Sequence, residues 1–343
     1  MAAVRKSMPY VRLGNSGLKV SKIILGCMSY GSPEWHGQTW ILPEKVGMEH
    51  IKFAYDAGIN TFDTAAVYSD GMSEEILGKA IKEYKLPRDE IVVMTKVFGY
   101  VAWNKPKEAA GARTVNQRGL SRKHIFDSIK NSLHRLQLDY VDVLQCHRFD
   151  YDTPIEETMQ ALHDVVKAGY ARYIGMSSCW AWQFHAMQNY AIANKLTPFI
   201  SMQNHHSLVY REEEREMFPT VKHFGVGIIP WSPLARGVLT RPIAAQTETA
   251  RGTGDPFVSK YNGDAATTIV SRVEEIAKKK GVSMAQVALA WSMHKDGITA
   301  PIIGTTSLEK ITDAIAAVHL ELTDEEMKYL EEAYKPLPVF GHT

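Results

Sequence analysis

The chain is poor in cysteine, carries almost no net charge and has no long apolar run. Its three cysteines, Cys27, Cys146 and Cys179, lie far apart and form no CxxC pair. This spacing does not support a disulfide framework and is typical of a reducing compartment. No stretch approaches the roughly 18 uninterrupted apolar residues of a membrane helix, and the first residues show no apolar signal-peptide region. We therefore expect a cytoplasmic protein without a membrane partner.

A strongly basic or acidic face is also lacking. The 39 Lys and Arg residues nearly balance the 38 Asp and Glu residues, which gives a net charge of +1. Because these charges are scattered along the chain, no nucleic-acid partner is expected. The 343 residues are 45% hydrophobic, which suits the large core of a globular protein.

What the sequence does contain is a regular alternation of strand-like and helix-like segments. Residues Tyr10 to Gly26 predict a hairpin around Asn15-Ser16-Gly17 that leads into a buried strand. Eight short apolar runs are predicted strands, near residues 23–25, 59–63, 91–96, 140–146, 172–177, 199–203, 226–231 and 300–303. Stretches with helical periodicity cover Glu44 to Ala57, Ser73 to Tyr84, Ser121 to Leu136, Ile155 to Ala168 and Trp182 to Asn194.

This alternation predicts an α/β fold whose strands close into one (β/α)8 TIM barrel over residues 1–343, with an N-terminal β-hairpin and extra C-terminal helices. No linker rich in Pro, Gly or Ser divides the chain into domains. The alternative is a doubly wound nucleotide-binding sheet, which normally has GxGxxG after its first strand. Gly26-Cys27-Met28-Ser29-Tyr30-Gly31 does not match that motif, so the barrel is favoured.

Polar residues stand where several predicted strands end. Asp63, Lys96 and His147 each finish an otherwise apolar run, and Tyr68 follows in the loop after Asp63. An unpaired charge is costly to bury, so such residues usually face a site. In a barrel of this kind the active site lies at the carboxyl ends of the strands. The four residues therefore predict an active site that can protonate a carbonyl oxygen.

Seven segments of the chain, in order, resemble the aldo-keto reductase superfamily. They are Gly58 to Ala65 with Tyr68, Thr95-Lys96, Asp142 to His147, Gly175 to Ser178, Gln203-Asn204, Trp231 to Gly237 and Ile303 to Ser307. One of these motifs alone would be a weak signal, but together they span nearly the whole chain. Trp231, Ser307 to Lys310 and Gly26 to Gly31 are most similar to fungal aryl-alcohol dehydrogenase-like members.

The chemistry of the four polar residues can be argued from their types. Hydride delivered to a carbonyl carbon leaves negative charge on the oxygen, which calls for a proton donor and electrostatic stabilisation. Tyr68 is the candidate donor, because a nearby ammonium, that of Lys96, would favour its phenolate form. Asp63 would pair with Lys96 and keep it protonated. His147 would direct the carbonyl oxygen through a hydrogen bond or share the proton relay.

The resemblance also implies an NADPH site. Ser177, Ser178 and Gln203 would bind the carboxamide of the nicotinamide, and Trp231 would stack on its ring. Many members carry asparagine at the position of Ser178, so that contact is expected to be weaker here. The segment with Ser232, Pro233, Leu234, Arg236 and Gly237 would lie along the diphosphate and offer it backbone amides.

A second part of this site is expected near the C-terminus. Gly304, Thr305, Thr306 and Ser307 lead from a strand into a predicted helix, whose N-terminus favours an anion. Lys310 lies one turn further, and the resemblance places the adenosine 2′-phosphate here, which implies NADPH. Because a lysine stands where the family usually has an arginine, bidentate phosphate binding is lost and some NADH tolerance is expected.

The sequence says least about the substrate. Aromatic residues in loops are candidate pocket walls and would suit a flat or aromatic aldehyde or ketone. They are Tyr30, Trp35, Phe98, Trp103 and Trp180. The segment Thr240 to Asp264 is long enough to fold over the cofactor as a mobile cover.

Two other function classes stay open at this point. One is a regulatory subunit that binds NADPH with little turnover and resembles the potassium-channel β-subunits. The other is a metal-dependent lyase on the same barrel. Adjacent residues His205 and His206 would point to opposite faces, so no metal is expected. The acidic run Glu212 to Glu214 predicts an exposed helix face, and the oligomeric state is not indicated.

Overall fold

The N-terminal hairpin closes one end of the molecule. The computed structural model describes residues 7–103 and 114–342. Strands β1 (Tyr10–Arg12) and β2 (Lys19–Ser21) pair antiparallel, which confirms the predicted hairpin. The hairpin lies against residues that precede other strands, because Asn15 N donates to Gly225 O over 2.7 Å and Ser21 N donates to Asn60 Oδ1 over 2.8 Å. The hairpin therefore covers the amino-terminal ends of the strands.

Eight parallel strands form the centre of the fold. They are β3 (Ile24–Gly26), β4 (Thr61–Asp63), β5 (Val92–Val97), β6 (Val141–Cys146), β7 (Ala171–Ser177), β8 (Phe199–Gln203), β9 (Gly227–Ile228) and β10 (Ile302–Ile303). Neighbours follow chain order, and β10 returns to pair with β3. Two further parallel bridges, Ile228 to Ile298 and Trp231 to Ile302, join the last two strands. The sheet is closed, and the predicted TIM barrel is confirmed.

Helices lie between the strands and after the last one. They are α1 (Glu44–Asp56), α2 (Met72–Glu83), α3 (Arg122–Leu136), α4 (Ile155–Lys167), α5 (Ala181–Ala193), α6 (Met217–His223), α7 (Ala250–Gly254), α8 (Asp264–Lys280), α9 (Met284–His294), α10 (Leu308–Ala316) and α11 (Asp324–Glu331). Side-chain caps explain several starts: Ser121 accepts from His124 N, and Thr323 forms a capping box with Glu326. No helix among the described residues is long and apolar enough to cross a membrane.

Side-chain alternation along the strands sorts residues into two layers. Val92 and Met94 of β5 pack with Ile24 and Val143 in one apolar cluster inside the barrel. Val93 and its neighbours on the other face pack in the cluster between strands and helices. Because successive side chains alternate faces, Lys96 lies on the same face as Val92 and Met94. The barrel interior is thus apolar at its centre and becomes polar at the carboxyl ends of the strands.

Candidate active site

A large cavity opens at the carboxyl ends of the strands. Its volume is about 1120 Å³, which exceeds the usual range for a small-molecule site. Most of the residues predicted for catalysis and cofactor binding line it: Asp63, Tyr68, His147, Ser177, Gln203, Trp231, Ser232, Pro233, Leu234, Arg236, Gly237, Gly304, Thr305, Thr306 and Lys310. Two of the predicted substrate residues, Trp35 and Trp180, line it as well. The structure therefore brings together residues from all parts of the chain.

Lys96 lies beneath the cavity floor and connects two of the predicted residues. Its ammonium is 2.6 Å from Asp63 Oδ2, 2.8 Å from the Thr64 carbonyl oxygen and 3.4 Å from the Tyr68 hydroxyl. Both members of the ion pair are buried. Burial by itself lowers the pKa of Lys96, but the charges of Asp63 and Tyr68 outweigh it and raise that pKa. Lys96 is therefore a permanent cation beside the Tyr68 hydroxyl at neutral pH.

Two glutamines hold the other oxygen of Asp63. Gln145 Nε2 and Gln203 Nε2 each donate to Asp63 Oδ1 over 2.9 Å, and Gln203 Nε2 also donates to Gln145 Oε1 over 2.9 Å. A buried carboxylate needs such partners, and these fix its orientation toward Lys96. Gln145 was not among the residues predicted for the site. Strand alternation would have found it, because it lies two residues before His147 on the same face.

His147 forms the wall next to Tyr68. The two rings meet edge to face with centroids 5.7 Å apart, and His147 N donates to Val97 O over 2.9 Å, which fixes the backbone at the end of β6. Burial, together with the positive charges of Arg148 and Lys96, lowers the pKa of His147 well below its ordinary value. The imidazole is therefore neutral at neutral pH and can direct a carbonyl oxygen without competing as an acid.

The loop that carries Tyr68 is held in an unusual backbone conformation. Ser69 and Asp70 have φ values of 47° and 52°, in the left-handed region. Ser69 is buried beneath Gly31, where an added Cβ would come within 2.1 Å of Ser69 Oγ. Asp70 Oδ1 accepts a hydrogen bond from Ala102 N over 3.3 Å. These contacts determine where the Tyr68 ring points.

An aromatic stack supports the cofactor side of the cavity. The Trp231 ring lies parallel to the His205 ring with centroids 4.1 Å apart, and His205 stacks on Tyr210 at the same distance. Trp231 Nε1 donates to Ser178 Oγ over 3.0 Å. Ser178 is buried and lies behind Trp231, outside the cavity lining. Its contact in the structure is thus with the tryptophan, while Ser177 and Gln203 reach the cavity.

The segment from Thr240 to Asp264 forms one rim of the cavity, as the predicted cover requires. Arg241, Arg251 and Phe257 from this segment line the opening. Asp255 anchors it, since its Oδ2 lies 2.6 Å from Arg236 Nη1 and 3.1 Å from Arg251 Nε. Within it, the helix α7 and two short 3-10 turns fold the chain. Its mobility remains a prediction.

Two cations face the cavity near the start of α10. Ser307 caps this helix by accepting from Lys310 N, and Lys310 Nζ lies 2.9 Å from Thr306 Oγ1. Burial and the charge of Arg241 lower the pKa of Lys310. Within the described part of the chain, neither Arg241 nor Lys310 forms an ion pair with a carboxylate. Arg241 was not among the predicted residues, because it lies far from Lys310 along the chain.

Three of the predicted substrate residues, Tyr30, Phe98 and Trp103, do not line the cavity. Tyr30 is fully buried, with its hydroxyl 3.4 Å from His50 Nδ1. Phe98 packs against the hydrophobic core. Trp103 Nε1 donates to Glu75 Oε1 over 3.0 Å, and the Arg135 guanidinium lies over its ring. The aromatic wall instead includes residues that were not predicted: Trp40, Phe257 and Phe340.

The prediction that the acidic run Glu212 to Glu214 forms an exposed helix face is wrong. One of its residues is buried and holds a residue that lines the cavity. Glu213 is buried and accepts from Asn204 Nδ2 over 3.0 Å. Its other oxygen lies 2.7 Å from His342 Nε2. His342 lines the cavity and meets Trp180 edge to face at 4.7 Å. Glu213 thus fixes the C-terminal segment against the cavity.

The histidines next to Asn204 have separate environments. His205 Nε2 lies 2.7 Å from the Tyr261 hydroxyl, whereas His206 Nε2 lies 2.8 Å from Glu214 Oε1. No group of three metal-ligating side chains is found among the residues that the structure describes. His205 instead stacks on Trp231, and His206 stacks on Trp291.

Burial of His205 predicts a loss of stability in mild acid. Burial, with the nearby charge of Arg236, lowers the pKa of His205 well below its ordinary value, whereas the unfolded chain keeps a pKa of about 6.5. As pH falls below that value the unfolded state binds the proton first, so the free energy of unfolding decreases. A histidine that stays neutral when folded accounts for about 1 kcal/mol between pH 6.5 and 5.5.

We expect His205→Phe to reduce this loss by about 1 kcal/mol, measured by urea unfolding at pH 6.5 and 5.5. Phenylalanine retains the stacked ring but does not titrate. The same substitution at His185, which is exposed on α5, is the matched control. An acid dependence of His205→Phe equal to that of the unsubstituted protein would show that His205 is not the group responsible.

Comparisons with known proteins all point to one family. Residues 22–335 match the model of the Aldo/keto reductase family. The chain is 50% identical over 340 residues to the versiconal hemiacetal acetate reductase of Aspergillus parasiticus, and the match covers 96% of this chain and 98% of that protein. It is also 50% identical to a candidate aryl-alcohol dehydrogenase of Schizosaccharomyces pombe over 97% of both chains. An aldo-keto reductase of Alternaria alternata is 45% identical over 97% of this chain and 93% of its own.

Proposed function

Because the chain belongs to the aldo/keto reductase family, we propose that it reduces aldehydes or ketones with NADPH, and that Tyr68 is the general acid. The family and its named relatives make the protein an oxidoreductase that acts on carbonyl or alcohol groups. The observation that supports the proposal most is the position of Lys96 Nζ, 2.6 Å from Asp63 Oδ2 and 3.4 Å from the Tyr68 hydroxyl. The aromatic wall with Trp35 and Trp180 favours aromatic or other hydrophobic carbonyls.

The residues of the chain account for the proton transfer. A carbonyl oxygen placed between Tyr68 and His147 accepts a hydrogen bond from the Tyr68 hydroxyl. As the oxygen becomes negative, Tyr68 gives it the phenolic proton, and the Lys96 ammonium stabilises the phenolate that remains. Asp63 keeps Lys96 charged while both are excluded from water. His147, being neutral, orients the carbonyl oxygen and carries no charge of its own.

The cavity has the side chains and the size for a nicotinamide cofactor. When bound, this cofactor supplies the hydride to the carbonyl carbon. Both N–H groups of Gln203 are used by Asp63 and Gln145, so its Oε1 is left to accept a hydrogen bond from a carboxamide. Ser177 and Trp231 would complete that end of the site. The Ser232 to Gly237 segment, which has left-handed φ values at Ser232, Ala235 and Arg236, would offer backbone amides to the diphosphate.

The choice of NADPH over NADH depends on the two cations near α10. Arg241 and Lys310 face the cavity without a described carboxylate partner, and Lys310 lies at the start of a helix whose dipole also favours an anion. A 2′-phosphate placed there would satisfy both cations. The presence of Arg241 strengthens the preference for phosphate that Lys310 alone would give.

Lys310→Met is expected to weaken NADPH binding about tenfold to a hundredfold, since one charge-assisted contact contributes about 1.5–3 kcal/mol. NADH binding is expected to stay unchanged. Fluorescence titration of each cofactor measures both dissociation constants. Lys279→Met, at an exposed position of α8, is the matched control. An equal loss for the two cofactors would mean that Lys310 supports the helix and not the phosphate.

The reaction itself is tested by following NADPH oxidation with a panel of aromatic and aliphatic aldehydes and ketones. We expect turnover with aromatic carbonyls and formation of the corresponding alcohol. Tight NADPH binding with negligible turnover across the whole panel would contradict the proposed enzyme and favour a regulatory, NADPH-binding role.

A further inference from the structure

Arg148 is a charged residue of the cavity that the proposed reaction does not use. It follows His147 directly and lines the same cavity as His147 and Tyr68. Its one hydrogen bond to a described residue runs from Nη1 to the His147 carbonyl oxygen, over 2.5 Å. That bond uses one of five N–H donors of the guanidinium. The remaining donors are available to a molecule in the cavity.

Two other arginines around this cavity are paired with a carboxylate. Arg236 and Arg251 both contact Asp255, at 2.6 Å and 3.1 Å. Arg148 has no such carboxylate among the residues that the structure describes. It is partly buried, and burial lowers its pKa. An anion bound beside it would offset this cost of burial.

The cofactor phosphates do not supply that anion. Going round the barrel in the order β3 to β10, Arg148 follows the fourth strand, β6, and Lys310 follows the eighth, β10. In a closed barrel of eight strands these positions are diametrically opposite. The segment with Arg236 and Arg241 follows β9, next to β10. The cations proposed for the cofactor therefore lie on one side of the mouth, and Arg148 lies on the other, beside the catalytic pair.

We infer that Arg148 is a specificity-determining residue that binds a carboxylate carried by the substrate, so that the preferred substrates are hydrophobic carbonyl compounds bearing a carboxylate, such as formylated aromatic acids. The inference rests on the proposed function. The planar guanidinium matches a carboxylate in size and hydrogen-bond geometry. Tyr68 and His147 would hold the carbonyl end. Trp35, whose ring lies 6.3 Å from that of Tyr68, would contact the apolar body.

A different role for Arg148 would act through Tyr68. The guanidinium is close enough for the charge of an ionised Tyr68 to raise its pKa, so Arg148 would then favour the phenolate in the same way as Lys96. That role would affect all carbonyl substrates equally. A substrate pair that differs only in charge separates the two roles.

The experiment compares 3- and 4-formylbenzoate with their methyl esters in steady-state assays with NADPH. For the unsubstituted protein we expect kcat/KM to be about tenfold to a hundredfold higher for the free acids, mostly through KM. In Arg148→Met the kcat/KM of the acid divided by that of its ester is expected to fall to about one. In Arg148→Lys this ratio should take an intermediate value. Arg12→Met, at an exposed position of the N-terminal hairpin, serves as the arginine control and should retain the ratio.

Two results would overturn the inference. One is the absence of a preference for the free acids in the unsubstituted protein, a measurement that needs no variant to fold. The other is an Arg148→Met variant that keeps the ratio of acid to ester while kcat falls for both and the pH profile changes. That result would mean that Arg148 acts through Tyr68.

Binding of benzoate to the protein–NADP⁺ complex, followed by fluorescence, tests the anion contact without turnover. Benzoate binding that weakens about tenfold in Arg148→Met would support the contact even if no carbonyl were reduced, a result that would contradict only the proposed function.

Discussion

Tyr68→Phe is expected to lower the rate of carbonyl reduction by about a hundredfold to ten-thousandfold, the usual contribution of a general acid. The ring is retained, so its edge contacts with His147 and Trp35 remain. Only the hydroxyl, 3.4 Å from Lys96 Nζ, is lost. NADPH binding is expected to change by less than about twofold, because no contact proposed for the cofactor uses this hydroxyl. Steady-state kinetics and fluorescence titration measure the two effects separately.

Tyr30→Phe is the matched control for that experiment. Tyr30 is buried and has a single hydroxyl contact, with His50, and it does not line the cavity. Its substitution should affect stability by about 1 kcal/mol and leave kcat close to that of the unsubstituted protein. If Tyr68→Phe kept more than a tenth of the activity, another group would have to donate the proton, and His147 would be the next candidate.

The barrel was predictable because the strands repeat one simple pattern. Apolar runs of strand length alternate with helical periods, and the predicted boundaries of the long elements agree with the structure within about two residues, the usual margin. The last two strands were predicted too long. Pro230 and Pro301 lie inside the predicted runs at 226–231 and 300–303, and a proline has no N–H to donate to the ladder. The observed strands β9 and β10 are correspondingly short.

The floor of the site was predictable from position alone, whereas its walls were not. Asp63 and Gln203 end strands and Lys96 is next to last in its strand, and in a closed barrel such residues meet at one end. A loop residue has no such constraint. Tyr30 turns into the core because its hydroxyl and ring contact His50, while Phe340 reaches the cavity from near the C-terminus. These directions depend on tertiary contacts that local sequence does not contain.

Lys96→Met is expected to abolish activity and to destabilise the fold by about 3–5 kcal/mol, because it leaves a buried carboxylate without its cation. Asp63 would keep its two glutamine donors but no positive charge. A loss of activity in this variant therefore has two explanations, a catalytic and a structural one. The double variant Asp63→Asn with Lys96→Met separates them, since it replaces the ion pair by two neutral side chains of similar size. Stability should recover by several kcal/mol, as urea unfolding would show.

Activity should stay lost in the double variant, because no cation then stabilises the phenolate of Tyr68. A recovery of activity in parallel with stability would show that the ion pair only supports the fold.

Asp63→Asn alone tests how the charge of the carboxylate affects the protonation of Lys96. Burial lowers the pKa of Lys96, and Asp63 is the first of the charges that raise it again. Without Asp63 the effect of burial prevails, so the ammonium loses its proton at a lower pH. The alkaline limb of the activity profile should therefore move to lower pH, and an unchanged profile in an active Asp63→Asn enzyme would exclude Lys96 as the group that tunes Tyr68.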